Sequence, residues 1–146
     1  MSGAQTGRAD YPVFIEIATR WQDNDVYGHL NNVVYYELLD TVVNRHLIEQ
    51  GVLDPATSDQ IGLVVESGCR YFASLAYPEI IDVGLRVTHI GNSSVRYEVG
   101  AFAKHTDSPA AEAFFVHVYV DAKARRPKPL PADFRAVLEG LLKSAS

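Results

Sequence analysis

Residues 20–50 read RWQDNDVYGHLNNVVYYELLDTVVNRHLIEQ, and this stretch decides the fold. Its second half repeats apolar residues every three or four positions, which is the spacing of an amphipathic helix. One stripe contains Val34, Leu38 and Val42, and a second, adjacent stripe contains Tyr35, Leu39, Val43 and Leu47. Because the two stripes make a wide apolar face, they predict a long helix that is mostly buried.

Both ends of this helix carry capping signals. Asn31 or Asn32 can serve as the N-cap, since an asparagine side-chain oxygen can accept a hydrogen bond from a free amide of the first turn. Gly51 can adopt the left-handed conformation that ends a helix. About nineteen residues at a rise of 1.5 Å give a helix roughly 28 Å long. An apolar helix of this length needs a sheet around it.

The remaining elements supply that sheet. Strand-forming apolar patterns occur at residues 11–20, 61–71, 80–90, 94–104 and 112–122. Pro131 can occupy the first position of a last helix over residues 132–142. The order of strand, long helix, four strands and short helix predicts an α+β fold, in which a curled five-stranded antiparallel sheet surrounds one long central helix.

Length and composition narrow the class of protein. The 146 residues fit a flexible N-terminus at residues 1–10 and a single domain at 11–146. A net charge of −5 without a Lys/Arg block argues against a nucleic-acid partner. The single cysteine, Cys69, excludes an internal disulfide and fits a reducing cytoplasm. No apolar run is long enough to span a membrane, so we expect a cytoplasmic protein without a membrane partner.

The loop before the long helix carries a motif of the form D-x-D-x-x-G-H-x-N-N-x-x-Y. Its members are Asp23, Asp25, Gly28, His29, Asn31, Asn32 and Tyr35. This motif resembles that of the acyl-CoA thioesterases of the hotdog fold, and is most similar to the 4-hydroxybenzoyl-CoA thioesterase-like family. The resemblance extends from about residue 14 to residue 121.

The resemblance implies a homodimer or homotetramer with its active site at the subunit interface. It assigns the catalytic acid to Asp25, and it assigns polarisation of the thioester carbonyl to a backbone amide near Asn32. The chain departs from the benzoyl-type members at His29 and at the asparagine pair, where those members have apolar and aromatic residues. The acyl group is therefore left open.

The residues themselves are compatible with this chemistry. Free amides at a helix N-terminus can stabilise the negative charge that develops on a thioester oxygen. Asp25 could attack the carbonyl as a nucleophile or activate water as a general base, or it could simply satisfy loop amides. Asp23 is expected to be structural and held by Arg20. His29 either fixes the loop or positions water or the carbonyl, and Asn32 acts through its amide.

Three further residues are candidates for substrate binding. Tyr27 can line an acyl pocket, and Ser93 and Ser94 can contact the pantetheine or the phosphates of CoA. We expect no metal, because no further ligands accompany Asp23, Asp25 and His29 at suitable spacing. We expect no cofactor either, because CoA is part of the substrate. Two alternatives stay open: a hotdog-fold acyl-thioester hydratase or dehydratase, and a non-catalytic acyl-CoA binding protein.

Overall fold

The computed structural model describes residues 5–143 and confirms the predicted α+β hotdog fold. The elements in chain order are β1 (Val13–Ala18), α1 (Asn32–Glu49), β2 (Gln60–Tyr71), β3 (Ile80–Ile90), β4 (Ser94–Ala103), β5 (Ala111–Asp121) and α2 (Ala132–Glu139). The predicted end of α2 is wrong, because the helix stops at Glu139, before Gly140. Pro131 is the N-cap of α2 and not its first helical residue.

The five strands form one antiparallel sheet in the order β1-β3-β4-β5-β2. The strands β1 and β2 therefore lie at the two edges. Strand β2 is irregular, since its register against β5 shifts between Val64 and Glu66. The extra residue at this bulge, Val65, is 62% exposed. A bulge of this kind bends an edge strand and increases its twist.

Helix α1 fills the concave side of the curled sheet. Leu39, Val42, Val43 and Leu47 on the helix are at most 1% exposed, and they share one core with Val83, Leu85 and Val99 of the sheet. Burying each such side chain stabilises the fold by roughly 1.5–3 kcal/mol. The core contains the whole second predicted stripe, whereas the first stripe contributes Val42 fully and Leu38 in part. The core also fixes the position of the N-terminus of α1.

The caps of α1 match the sequence signals. Asn31 is the N-cap, and its side chain accepts a hydrogen bond from Val33 N at 3.0 Å. Gly51 follows the helix with φ 76°, a left-handed conformation that favours glycine. The asparagine pair therefore divides its roles: Asn31 caps the helix, and Asn32 is its first residue.

The segment before β1 lies on the outer face of the sheet. Thr6 N donates to Glu112 at 2.8 Å, and Arg8 pairs with Asp82 at 3.0 Å. Of the predicted flexible stretch, residues 1–4 lie outside the described residues, and flexibility stays a prediction. Within residues 5–143, neither helix is both long and apolar enough to cross a membrane.

Candidate active site

The loop that carries the motif begins at an ion pair between the buried Asp23 and the exposed Arg20. Asp23 is 1% exposed and accepts hydrogen bonds from Arg20 N and from Arg20 Nη2, each at 2.7 Å. Burial acts to raise the pKa of Asp23, but the hydrogen bonds and the charge of Arg20 outweigh it and hold this pKa below its usual value. Asp23 therefore stays ionised, and the structure agrees with the structural role predicted for it.

Backbone hydrogen bonds fix the far end of the same loop. Asn31 N donates to Asp23 O at 3.0 Å, and Leu30 N donates to Leu75 O at 2.8 Å. Leu30 is 5% exposed and belongs to the core. The residues between Asp23 and Leu30 thus form a short loop, and a backbone hydrogen bond joins its two ends just before α1 begins.

Asp25 lies in this loop, and only one of its two carboxylate oxygens accepts hydrogen bonds from the described residues. Its Oδ1 accepts from Tyr27 N at 2.8 Å and from His29 N at 3.4 Å. Its backbone N donates to His29 O at 2.8 Å, and Gly28, with φ 80°, closes the turn. Among residues 5–143, Asp25 Oδ2 has no hydrogen-bond partner, and the side chain is half-buried. The free oxygen can face a substrate or a water molecule.

The first amide of α1 is also free. The next two amides of the helix are paired with Asn31. Its side chain accepts a hydrogen bond from Val33 N, and its carbonyl accepts one from Val34 N at 2.9 Å. Asn32 N has no hydrogen-bond partner in the described part of the chain, and Asn32 is exposed. An unpaired amide at the positive end of an 18-residue helix can stabilise an oxyanion.

The surroundings of these groups are apolar and open in the single chain. Val26 is 92% exposed, Tyr27 82% and Val33 67%. The ring of Tyr35 is buried under the start of α1, with its centroid 5.1 Å from that of Tyr71. Several apolar side chains around the loop and the helix N-terminus are therefore in water unless a second molecule covers them.

His29 contributes its backbone to the loop. Its N and O both bond to Asp25, whereas its imidazole is exposed and makes no hydrogen bond with the described residues. Tyr27 likewise donates its amide to Asp25 and directs its side chain to solvent. These contacts fix the loop. They leave both side chains available to a bound molecule.

The structure does not bring Ser93 and Ser94 to Asp25 within one chain. The two serines lie at the β3–β4 turn, where Ser94 pairs with Val118 of β5. The start of α1 lies at the other end of β5, because Tyr71 of β2 pairs with Ala111 and donates to Asn32 O. Seven residues of strand separate these positions, or about 23 Å.

A second polar cluster, which sequence reasoning missed, lies between α1 and the sheet. His117 is 3% exposed, and its Nε2 lies 3.9 Å from Asp40 Oδ1. Burial lowers the pKa of His117 to about 4 and raises the pKa of Asp40. The alternation of β5 could have identified this histidine, since His117 shares the inward face with Phe115 and Tyr119.

Comparison with known proteins identifies one matching family and several solved structures that are similar to this chain. The thioesterase-like superfamily matches residues 19–138. The PA5185 protein of Pseudomonas aeruginosa PAO1 is 48% identical over 97% of this chain and 99% of its own, with a TM-score of 0.94. A thioesterase from Thermus thermophilus, solved with coenzyme A and Zn, is 26% identical over 90% of this chain and 95% of its own, with a TM-score of 0.74. A search of curated proteins gave no match.

Proposed function

The chain belongs to the thioesterase-like superfamily, and from this premise we propose that it hydrolyses an acyl-CoA thioester to the free acid and CoA. The superfamily supports thioester hydrolysis in general. The Thermus thermophilus relative, which was solved with coenzyme A, supports CoA as the thiol carrier. The 4-hydroxybenzoyl-CoA-like assignment remains part of this proposal, with the acyl group left open. A cytoplasmic location is proposed from the single cysteine, Cys69.

One observation carries the proposal: a free carboxylate oxygen and a free helix amide belong to the same short segment. Asp25 Oδ2 and Asn32 N have no partner among residues 5–143, whereas Asp25 Oδ1 and the amides of Val33 and Val34 are paired within the same segment. The loop is closed at Asp23 and Asn31, so both free groups have fixed positions. Such preorganised groups suit a reaction that develops charge at a carbonyl.

The chemistry follows from these two groups. In a nucleophilic route, Asp25 Oδ2 attacks the thioester carbon, the carbonyl oxygen becomes an oxyanion next to Asn32 N, and the C–S bond breaks to release the CoA thiolate. Water then hydrolyses the resulting anhydride and regenerates the Asp25 carboxylate. In a general-base route, Asp25 takes a proton from water while that water attacks the same carbon. The C–S bond then breaks, and the proton passes from Asp25 to the departing CoA thiolate. Rapid-quench mass spectrometry distinguishes the routes, because only the first forms an acyl adduct on Asp25.

We further propose that the active unit is a homodimer, alone or within a tetramer, joined along β2. As an edge strand, β2 presents unpaired backbone groups to solvent. Its middle is apolar and exposed, with Val64 at 50% and Val65 at 62% exposure. Antiparallel pairing of β2 with its copy would cover these side chains and continue the sheet across a two-fold axis.

This pairing would complete the active site. Because the two β2 strands are antiparallel, the Gln60 end of one lies beside the Tyr71 end of the other. Ser94 pairs with Val118, and Val118 pairs with Leu63 near the Gln60 end of β2. The β3–β4 turn of the second copy would therefore approach the start of α1. Ser93 and Ser94 would then bind substrate across the interface, opposite Asp25.

The test is free-thiol release from a panel of acyl-CoAs, comparing the native chain with Asp25→Asn. The native chain should release CoA, and the variant should lose kcat by about a hundredfold or more while it still binds the ester. Glu139→Gln removes one carboxylate from the exposed face of α2 and serves as the control for charge. Its kcat should be unchanged.

Two outcomes would contradict the proposal. Turnover of an enoyl-CoA without thiol release would identify a hydratase. Binding of CoA esters by both proteins, without thiol release from any of them, would identify an acyl-CoA binding protein. In either case the role of Asp25 in hydrolysis would be rejected.

A further inference from the structure

A cavity of about 450 Å³ lies on the outer face of the sheet, away from α1. Leu85 and Val99 point into the helix core, so their strand neighbours Arg86 and Glu98 point to the opposite face. The cavity walls include Tyr11, Arg86, Arg96, Glu98, Glu112 and Phe114. Asp25 and Asn32 do not line it. The cavity is thus separate from the proposed active site.

Arg86 is the unusual member of this wall. The residue is 4% exposed, and its Nε and Nη2 donate to Glu98 Oε1 at 3.1 and 2.6 Å. Its guanidinium carbon lies 5.4 Å from the ring centroid of Tyr11. The third nitrogen, Nη1, is buried and has no hydrogen-bond partner among residues 5–143. A buried charged donor in native proteins normally has an acceptor, and here residues 5–143 supply none.

The charges around the cavity leave a positive excess. Glu98 accepts from both Arg86 and Arg96, the latter at 2.9 Å. Glu112 pairs with Arg70 at 2.9 Å. Three arginines and two glutamates line the cavity, so one positive charge has no counter-charge among the lining residues. A group with a single negative charge would balance it.

Aromatic rings form the apolar part of the cavity. Tyr11 lies flat over two glycines of the sheet, because a Cβ at Gly84 or Gly100 would come within 2.6–2.7 Å of its side chain. The guanidinium carbon of Arg96 lies 4.0 Å from the ring centroid of Phe114. The rings of Tyr11 and Phe114 therefore both border the space next to Arg86. Together they provide an apolar wall beside the unpaired donor.

We propose that this cavity binds a small organic carboxylate. The carboxylate pairs with the guanidinium of Arg86, whose Nη1 has no acceptor among the described residues, and its apolar body lies against Tyr11 and Phe114. A carboxylate matches the single unbalanced charge, whereas phosphate carries a larger charge at neutral pH and offers no apolar surface. The site is independent of thioester hydrolysis, because it lies on the other face of the sheet.

Isothermal titration calorimetry of the full chain with benzoate tests the proposal at constant ionic strength. Benzoate should bind once per chain and more tightly than inorganic phosphate. Arg86→Met, which removes the unpaired donor, should weaken benzoate binding about tenfold or more. Arg45→Met removes an exposed guanidinium from α1 and should leave binding unchanged. Benzoate should also bind equally well in the presence of a saturating non-hydrolysable acyl-CoA thioether, which excludes the proposed active site as the source of the signal.

Arg96→Met provides a second test if Arg86→Met does not fold, because Arg96 is more exposed and makes one side-chain hydrogen bond in the described region. It removes the positive excess and should weaken benzoate binding several-fold. Four results would overturn the proposal. They are no benzoate binding, as expected if a second copy covers this face; tighter binding of phosphate; benzoate binding that the acyl-CoA thioether abolishes; or binding that survives loss of either arginine.

Discussion

Asn31 N donates to Asp23 O at 3.0 Å, so the residue that caps α1 is tied directly to the residue that anchors the motif loop. Asp23 is held by Arg20, and Asn31 holds the first turn of the helix through Val33. The loop between them contains Asp25. One series of contacts therefore positions both groups of the proposed active site. Substitutions at Asp23 or Asn31 should change activity although neither residue contacts the substrate.

Asp23→Asn should destabilise the protein. The substitution removes an ionised acceptor that is 1% exposed, and leaves the donors of Arg20 poorly matched. We expect a loss of about 1–3 kcal/mol in the free energy of unfolding. Because the folded pKa of Asp23 is below its unfolded value, this contribution is present above the unfolded pKa and disappears as pH falls through the folded pKa. Urea denaturation at pH 7 and at pH 3 measures both effects.

Glu37→Gln is the matched control for this prediction. Glu37 is the second partner of Arg20, but its side chain is 59% exposed. An exposed pair contributes little, so the change in unfolding free energy should stay within about 0.5 kcal/mol. Equal effects of the two substitutions would show that Arg20 does not stabilise the loop through Asp23.

Two substitutions of Asn31 should distinguish an effect on helix stability from an effect on catalysis. Asn31→Ala removes the cap and should cost about 1 kcal/mol of stability. Asn31→Asp keeps an acceptor for Val33 N and should be as stable as the native protein, but its negative charge lies next to Asn32 N and should oppose an oxyanion there. We expect Asn31→Asp to lower kcat in thiol release while thermal unfolding is unchanged. Full activity of this stable variant would argue against the Asn32 amide.

The sequence predicted the architecture because its signals are local. The second apolar stripe of α1, the asparagine cap and the glycine at position 51 act within a few residues, and the structure bears them out, with Asn31 as the cap of the two candidates. The end of α2 was predicted three residues too late. Apolar residues continue to Leu142, but the chain leaves the helix at Gly140, and Leu142 forms a bridge to Val87 of β3.

The placement of Ser93 and Ser94 could not be read from the sequence, because it depends on how the strands pair. The antiparallel pairing of β1 with β3, in which Ala18 lies beside Ile80, places them at the other end of the sheet from Asp25. The cavity around Arg86 was missed for a similar reason. Its walls come from strands that are distant in sequence, and an unpaired Nη1 is visible only when every neighbouring acceptor is known.

His117 should make stability depend on pH in the weakly acidic range. Its pKa is lowered by burial to about 4 in the folded state, against about 6.5 in an unfolded chain. The unfolded state therefore binds a proton first as the pH falls. Stability should be full above about pH 6.5 and should decrease towards pH 4, by about 3 kcal/mol. Chemical denaturation at half-unit pH steps measures this slope.

His117→Phe should abolish most of that slope, because the ring stays while the titrating group is removed. His89→Gln changes an exposed histidine and should keep the slope of the native protein. Asp40 lies 3.9 Å from His117, so the same series should be repeated in Asp40→Asn to remove its contribution. An undiminished slope in His117→Phe would assign the pH dependence to other groups.

Substitution of Val65 should test dimer assembly and activity in the same variant. It projects from the bulge of the edge strand β2 and is 62% exposed in the single chain. If two β2 strands pair, Val65→Lys places a charge inside the interface, and light scattering should give the monomer mass of 16.1 kDa. Thiol release should fall with the dimer, because Ser93 and Ser94 of the second copy leave the site. Ile48→Lys makes the same change on α1 and should remain an active oligomer. A monomeric Val65→Lys with full activity would show that one chain contains the complete active site.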